Sequence, residues 1–258
     1  MSGTGLVVAP QAAATPVPTP QRECGSAEAP DETAAARLAA ACGRPVEVLS
    51  ERTEYAQVTV APDGVRKLVA AVAPQRVRRA DGSWAAIDPS LRQRGDKLVP
   101  SATLADVSFS TGGTGPLVSW REAGSTFTLD WPLGPLPRPR VSGPTATYPA
   151  VLKDVNLHVT ATAEGYTHVV EVLTPEAAAQ PAIKALRYRT GGDMRIAQDA
   201  GGAMRLVTAA GVTVATSAPA RMWDSSADPA RAGEVLPAVA AARLETPPGE
   251  RATAPNRR

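Results

Sequence analysis

The chain has 258 residues, 43% of them apolar, enough for one large β domain or two small ones. Lys and Arg number 27 against 25 Asp and Glu, a net charge of +2, so no basic field gathers nucleic acid or anionic lipid, and no nucleic-acid partner is expected. No uninterrupted apolar run is long enough for a transmembrane helix, so no membrane span is expected either. The apolar content is mostly Ala and Val, with only two Phe, four Tyr and four Trp, so the few large rings must supply much of the buried area. Trp84, Phe127, Leu129, Trp131, Tyr148 and Trp223 are the expected core.

From Leu6 to Ala14 the chain resembles the tail of a secretory signal, with Ala12-Ala13-Ala14 as an A-x-A cleavage site. No Lys or Arg precedes Arg22, which points to a late start or a fragment. Residues 1–23, with Pro10, Pro16, Pro18 and Pro20, read as a disordered leader. A helix follows, capped by Asp31, favoured by Glu32 in its first turn, ending at Cys42 and closed by Gly43 and Pro45. Cys24 and Cys42 are the whole cysteine complement. In an exported chain they would pair across about 18 residues and contribute roughly 3 kcal/mol; in a reducing compartment they would remain thiols.

From Val46 onward the period changes to two, with turn chemistry every 8–12 or so residues, the pattern of a sandwich or barrel. Strands are expected at 46–52, 55–61, 65–73, 75–80, 83–88, 97–101, 105–110, 116–122, 125–131, 155–161, 167–173, 183–189, 194–199, 204–209 and 212–217. Turns are expected at Pro62-Asp63-Gly64, Asp81-Gly82, Gly112-Gly113, 122–125, Gly191-Gly192, 199–202 and Ala210-Gly211. The alternation in 125–131 puts Phe127, Leu129 and Trp131 on one face and Thr126, Thr128 and Asp130 on the other. A short helical turn is expected at Thr174-Pro175-Glu176. The fold class is therefore all-β and mainly antiparallel, one or two sandwich-like units with a short N-terminal helix and disordered ends. The expected organisation is a leader at 1–23, a first β-rich unit at 24–131, a Pro-rich linker at 132–144, a second β-rich unit at 145–226 and a tail at 227–258.

Residues able to carry chemistry are few. His158 alternates with Leu157 and Val159, which puts it on the outward face with Asn156 and Thr160, and His168 is likewise assigned to a strand surface. Neither has the company of a G-x-S-x-G elbow or an H-E-x-x-H pair. Residues 112–115 are glycine-rich but lack the Lys-Ser/Thr of a phosphate loop, so a hairpin turn is expected. Asp81, Asp88, Asp130, Asp154 and Glu171 are dispersed, and glycosidase chemistry is disfavoured. Arg76-Val77-Arg78-Arg79 reads as the solvated side of a strand, with a basic edge against anionic wall polymer as the sharper alternative. No catalytic residue, cofactor or metal is expected.

Several phrases stand out together: 44–48 with 52–54, then Pro62-Asp63-Gly64, then 74–79 leading to Gly82-Ser83-Trp84 and 87–91. Further on stand Thr147-Tyr148-Pro149-Ala150-Val151 with Val155-Asn156-Leu157, and Met222-Trp223-Asp224-Ser225-Ser226. In this order they resemble the N-terminal region of large secreted actinobacterial proteins that continue into LamG-like jelly-roll, DNRLRE or RHS/YD-repeat segments. Asn156 stands where that pattern usually has Asp. The resemblance implies a non-catalytic structural or interaction module of a secreted or wall-associated polypeptide, whose partners are its own downstream domains and an extracellular or wall glycan. One alternative is a LamG-like carbohydrate-binding domain stacking sugars on Trp84, Trp120, Trp131, Tyr166 or Trp223. Another is the leading region of an RHS/YD-repeat secreted toxin.

Overall fold

The computed structural model describes residues 24–122 and 124–224. Strand makes up 47% and helix 12%, and the sheets are mostly antiparallel, so the fold is all-β and sandwich-like, as the period-two alternation predicts. The chain divides into two compact units between Arg76 and Val77. The expected leader at 1–23 and tail at 227–258 lie outside the described residues.

The first unit packs one helix on a small sheet. Strand β1 (Glu28–Ala29) leads into α1 (Glu32–Cys42), whose N-cap Asp31 accepts from Ala34 N at 2.9 Å and whose C-cap Gly43 has φ 63°. Strands β2 (Val46–Val48), β3 (Ala56–Val60) and β4 (Arg66–Ala70) complete a sheet of order β1-β2-β3-β4. Ala35 and Ala39 of α1 bury against Val46, Val48, Val58 and Val60. Small alanines let the helix sit close, and the Cys24–Cys42 sulfurs, at disulfide distance, tie its end to the entering chain. The β1–β2 pair is parallel and sets Glu28 opposite Glu47, a repulsive arrangement. Arg52 relieves it, donating Nε and Nη2 to the two Glu47 oxygens at 2.7 Å each and Nη2 to Glu28 Oε1.

At the boundary stands a hairpin of β5 (Arg76–Arg78), whose first residue closes the first unit, and β6 (Trp84–Ala86). Then come β7 (Asp88–Arg94), β8 (Lys97–Ala102), β9 (Asp106–Ser110), β10 (Val118–Glu122) and β11 (Ser125–Asp130). A second sheet follows in the order β12 (Arg140–Ser142), β13 (Thr145–Leu152), β14 (Val155–Ala161) and β15 (Tyr166–Val172). Two short helices, α2 (Pro175–Ala178) and α3 (Pro181–Lys184), precede β16 (Arg189–Gly192), which returns to pair with β11 and completes a six-stranded sheet. Strands β17 (Arg195–Gln198), β18 (Met204–Val207) and β19 (Thr213–Ser217) form a meander.

The two larger sheets share one core, in which Phe109, Phe127, Leu129 and Trp131 meet Tyr148, Val155, Leu157 and Val159. The expected boundary at 132–144 is therefore displaced. Leu136 is buried and exchanges two backbone hydrogen bonds of 2.8 Å with Gly113, and β12 is itself a strand, so the proline-rich stretch is anchored within the unit. The expected core holds at Phe127, Leu129, Trp131 and Tyr148, while Trp84 is only half-buried and Trp223 is 62% exposed. The expected strand at 183–189 is also corrected, since Pro181 opens a helical turn that runs to Lys184.

Gly191 and Gly192, expected as a turn, lie inside β16 and face β11. A Cβ on Gly192 would sit 2.3 Å from Thr126 O, and its φ is 92°. The glycines thus permit close strand approach. Gly192→Ala should cost about 2–4 kcal/mol of stability by chemical denaturation. Gly211→Ala, at φ 83° with open space around it, should cost only about 1 kcal/mol.

Two buried tyrosines differ in kind. Tyr148 is fully buried and donates its hydroxyl to Ser110 O at 2.7 Å, whereas the buried Tyr188 hydroxyl has no hydrogen-bond partner among the described residues. Burial pushes both hydroxyls above the usual tyrosine range, so both stay neutral. Tyr148→Phe should lower stability by about 1–3 kcal/mol, because Ser110 O loses its donor. Tyr188→Phe should be neutral or stabilising, both variants being compared by differential scanning calorimetry.

Candidate functional site

The most unusual surface of the first unit is the free edge of its sheet. The Pro62-Asp63-Gly64 turn, with Asp63 Oδ1 accepting from Val65 N at 3.1 Å, sends the chain back along β3 as β4. Every β4 residue is exposed, and Val65 (59%), Leu68 (66%) and Val69 (44%) present aliphatic surface to solvent. Leu68 pairs with Val58 and Arg66 with Val60, so both lie on the α1 side of the sheet, beyond the reach of the helix. Arg66 is held there by Glu51 at 2.6 Å and Glu32 at 3.5 Å. Ala61 N donates to Val65 O and Ala71 N to Tyr55 O, which fixes the polarity of the strand. Residues 65, 67, 69 and 71 turn their backbone groups toward β3, and Arg66, Leu68 and Ala70 turn theirs outward, unpaired among the described residues.

A polar array covers the outward face of β13, β14 and β15. His158 is outward with Asn156 and Thr160, as the alternation predicts. Its Nδ1 lies 3.0 Å from Thr147 Oγ1 and its Nε2 3.0 Å from Glu171 Oε2, which also accepts from Asn156 Nδ2 at 2.8 Å. A neutral imidazole satisfies both contacts, accepting from the threonine and donating to the carboxylate. The order hydroxyl, imidazole, carboxylate is that of a nucleophilic relay. The setting differs from a cleft: Thr147 lies in an interior strand, paired with Arg140 of β12 on one side and with His158 of β14 on the other.

Asn156 has a second task that the sequence alone did not disclose. Its Oδ1 accepts from Ala150 N at 3.0 Å, where Ala150 has φ 50° in the bulge of β13. Hydrogen bonds from Asn156 and then His158 hold the Glu171 carboxyl below its ordinary value. A depressed carboxylate contributes stability above its unfolded pKa and loses it as pH falls through the folded one. Asn156→Ala should therefore raise the Glu171 pKa toward the ordinary carboxylate value, read from its side-chain carbonyl shift in an NMR titration.

The aromatic residues expected to stack sugars form no platform. Trp120 and Trp131 are buried, each with its indole N–H unpartnered among the described residues. Trp120 and Tyr166 are brought together, their rings 6.3 Å apart and tilted by 59°, at the edge of the core. Trp84 is half-buried with the Arg78 guanidinium 6.0 Å above its ring, and only Trp223 of the five is exposed. His168 is at the surface, as expected, with its ring edge-on to Tyr188. Residues 112–115 connect β9 to β10, and a Cβ on Gly112 would press on the backbone of Pro137 and Arg138, so Gly112 serves loop packing. A recess of about 310 Å³ beside them includes Asp130, Trp131 and Arg189, with Asp130 Oδ2 3.9 Å from Arg189 Nε.

No family model, curated protein or solved structure matches the chain.

The basic run is corrected at one position. Arg76, the last residue of the first unit, donates within that unit to Thr53 O at 3.1 Å, Ala56 O at 3.2 Å and Gln57 Oε1 at 2.9 Å, so it locks a loop and does not join a basic edge. Among the described residues no helix is long and apolar enough to cross a membrane, and no group of three or more His, Cys, Asp or Glu is placed to hold a metal ion. The geometry therefore offers a hydrogen-bonded polar face, a small charged recess and an open strand edge.

Proposed function

We propose that this chain is a non-catalytic interaction module of a secreted or wall-associated modular protein, and that the open edge of β4 is its working surface. The observation that carries the reading is the unpaired backbone of Arg66, Leu68 and Ala70 flanked by exposed Val65, Leu68 and Val69. Isolated exposed apolar side chains are ordinary, but an apolar edge strand is an adhesive feature that proteins usually cover. The cysteine pair at disulfide distance supports an oxidising location, and the ordered phrases from 44 to 226 support membership of the actinobacterial group they resemble. The downstream domains of such a polypeptide would then carry its own activity.

The experiment is a paired assay on the purified chain with isolated bacterial cell envelopes. The chain should co-sediment with the envelopes and release neither reducing sugar nor soluble peptide. Turnover that disappears in Glu171→Gln or His158→Ala, the residues of the polar array, would overturn the non-catalytic reading. Absence of both turnover and co-sedimentation would remove the wall from its partners.

A further inference from the structure

We propose that two copies of the chain pair antiparallel along β4, joining their four-stranded sheets edge to edge about a two-fold axis at Leu68. The inference rests on β4 being the interaction surface, and it names the occupant as a second copy. Antiparallel pairing needs outward-facing residues on both strands, and β4 offers Arg66, Leu68 and Ala70. Three two-fold registers satisfy that parity with useful overlap. The first sets Arg66 opposite Leu68 and brings Lys67 against Lys67 of the other copy, which like-charge repulsion disfavours. The second sets Leu68 opposite Leu68, Arg66 opposite Ala70 and Lys67 opposite Val69. The third sets Leu68 opposite Ala70 and Val69 opposite Val69, so the smaller Val69 self-pairs on the face away from α1 and Leu68 meets only a methyl group.

The second register pairs the largest exposed apolar side chain of β4 with itself and keeps Arg66 and Lys67 opposite apolar residues. Arg66 enters it with its charge already answered by Glu51 and Glu32. Lys67 lies on the opposite face from α1, paired with Thr59, and in this register has no like charge across from it. Of the devices that keep an edge from pairing, β4 has charged side chains, Arg66 and Lys67, but no proline and no register shift. The contact is isologous, so it closes at two copies and does not propagate. A single strand pair buries less than the ~1,200 Å² of a standard stable interface, so association is weak in dilute solution. Copies crowded on one surface would gain effective concentration.

Sedimentation equilibrium of the full chain up to ~1 mM, a range suited to a weak interface, tests the proposal. The expected result is a reversible monomer–dimer equilibrium that Leu68→Lys shifts at least tenfold toward monomer. Because Leu68 is an exposed side chain, its melting temperature should stay unchanged, and Leu68→Thr provides a milder variant with the same direction. Register is read by oxidative cross-linking: Leu68→Cys should form a covalent dimer readily, and Val69→Cys should lag well behind, since only position 68 meets itself across the axis. A monomer throughout that range overturns the proposal, as does a dimer indifferent to both Leu68 variants or one that cross-links better through position 69. Each of those outcomes leaves the interaction reading to the envelope assay, where Leu68→Lys co-sedimenting like the unmodified chain would separate wall contact from self-pairing.

Discussion

The larger unit depends on the contact between its two main sheets, and Tyr148 sits at the middle of it. With so few large side chains, a core of Ala and Val fills space poorly unless each ring bridges more than one element. Tyr148 is fully buried from β13, and its hydroxyl reaches across to Ser110 O at the end of β9. That bond fixes the facing of one sheet against the other, which apolar contact alone leaves free to slide. Phe109, on the residue before Ser110, then meets Tyr166 of β15 edge-on with rings 6.0 Å apart. The sheets are thus joined by a few directional contacts set in a generic aliphatic filling.

The smaller unit solves the opposite problem, having no large rings in its core. Its buried residues are Ala29, Ala35, Ala39 and four valines, an apolar area too small to rely upon by itself. Covalent and ionic ties take over: the cysteine pair holds the helix end, Arg44 donates to Cys24 O and to Ser26 O, and Arg52 binds Glu47 and Glu28. The Arg52 guanidinium is held charged above its ordinary value, its bond to Glu47 outweighing the opposing effect of burial. A helix eleven residues long covers β2 and β3 but not β4, and the exposed edge follows directly from that shortfall.

Local patterning made much of this visible in advance. Alternation placed Phe127, Leu129 and Trp131 inward and His158 outward, and cap chemistry located α1 to its last residue. Strand β13 escaped because Pro149 argues against an interior strand. It is tolerated there beside Ala150, where the register shifts and Asn156 supports the bulge. Gly191 and Gly192 carry the same letters as a turn, and only the β11 backbone 65 residues earlier in the chain reveals that they permit close approach. Size alone places Trp223 in the expected core, a criterion blind to the absence of any strand beyond β19 among the described residues to cover it.

The candidate surfaces divide by how fully their polar groups are already occupied. On the outward face of β13 to β15, Thr147, His158, Glu171 and Asn156 bond chiefly to one another, so a ligand would have to replace internal hydrogen bonds with equivalents of its own. Along β4 the balance is reversed. Its outward backbone groups bond to no other described residue, and its exposed aliphatic side chains gain by leaving water. A partner strand therefore adds hydrogen bonds without breaking any within the chain. That difference, more than the chemical variety of the side chains, is the ground for proposing the strand edge and not the histidine face as the interaction surface.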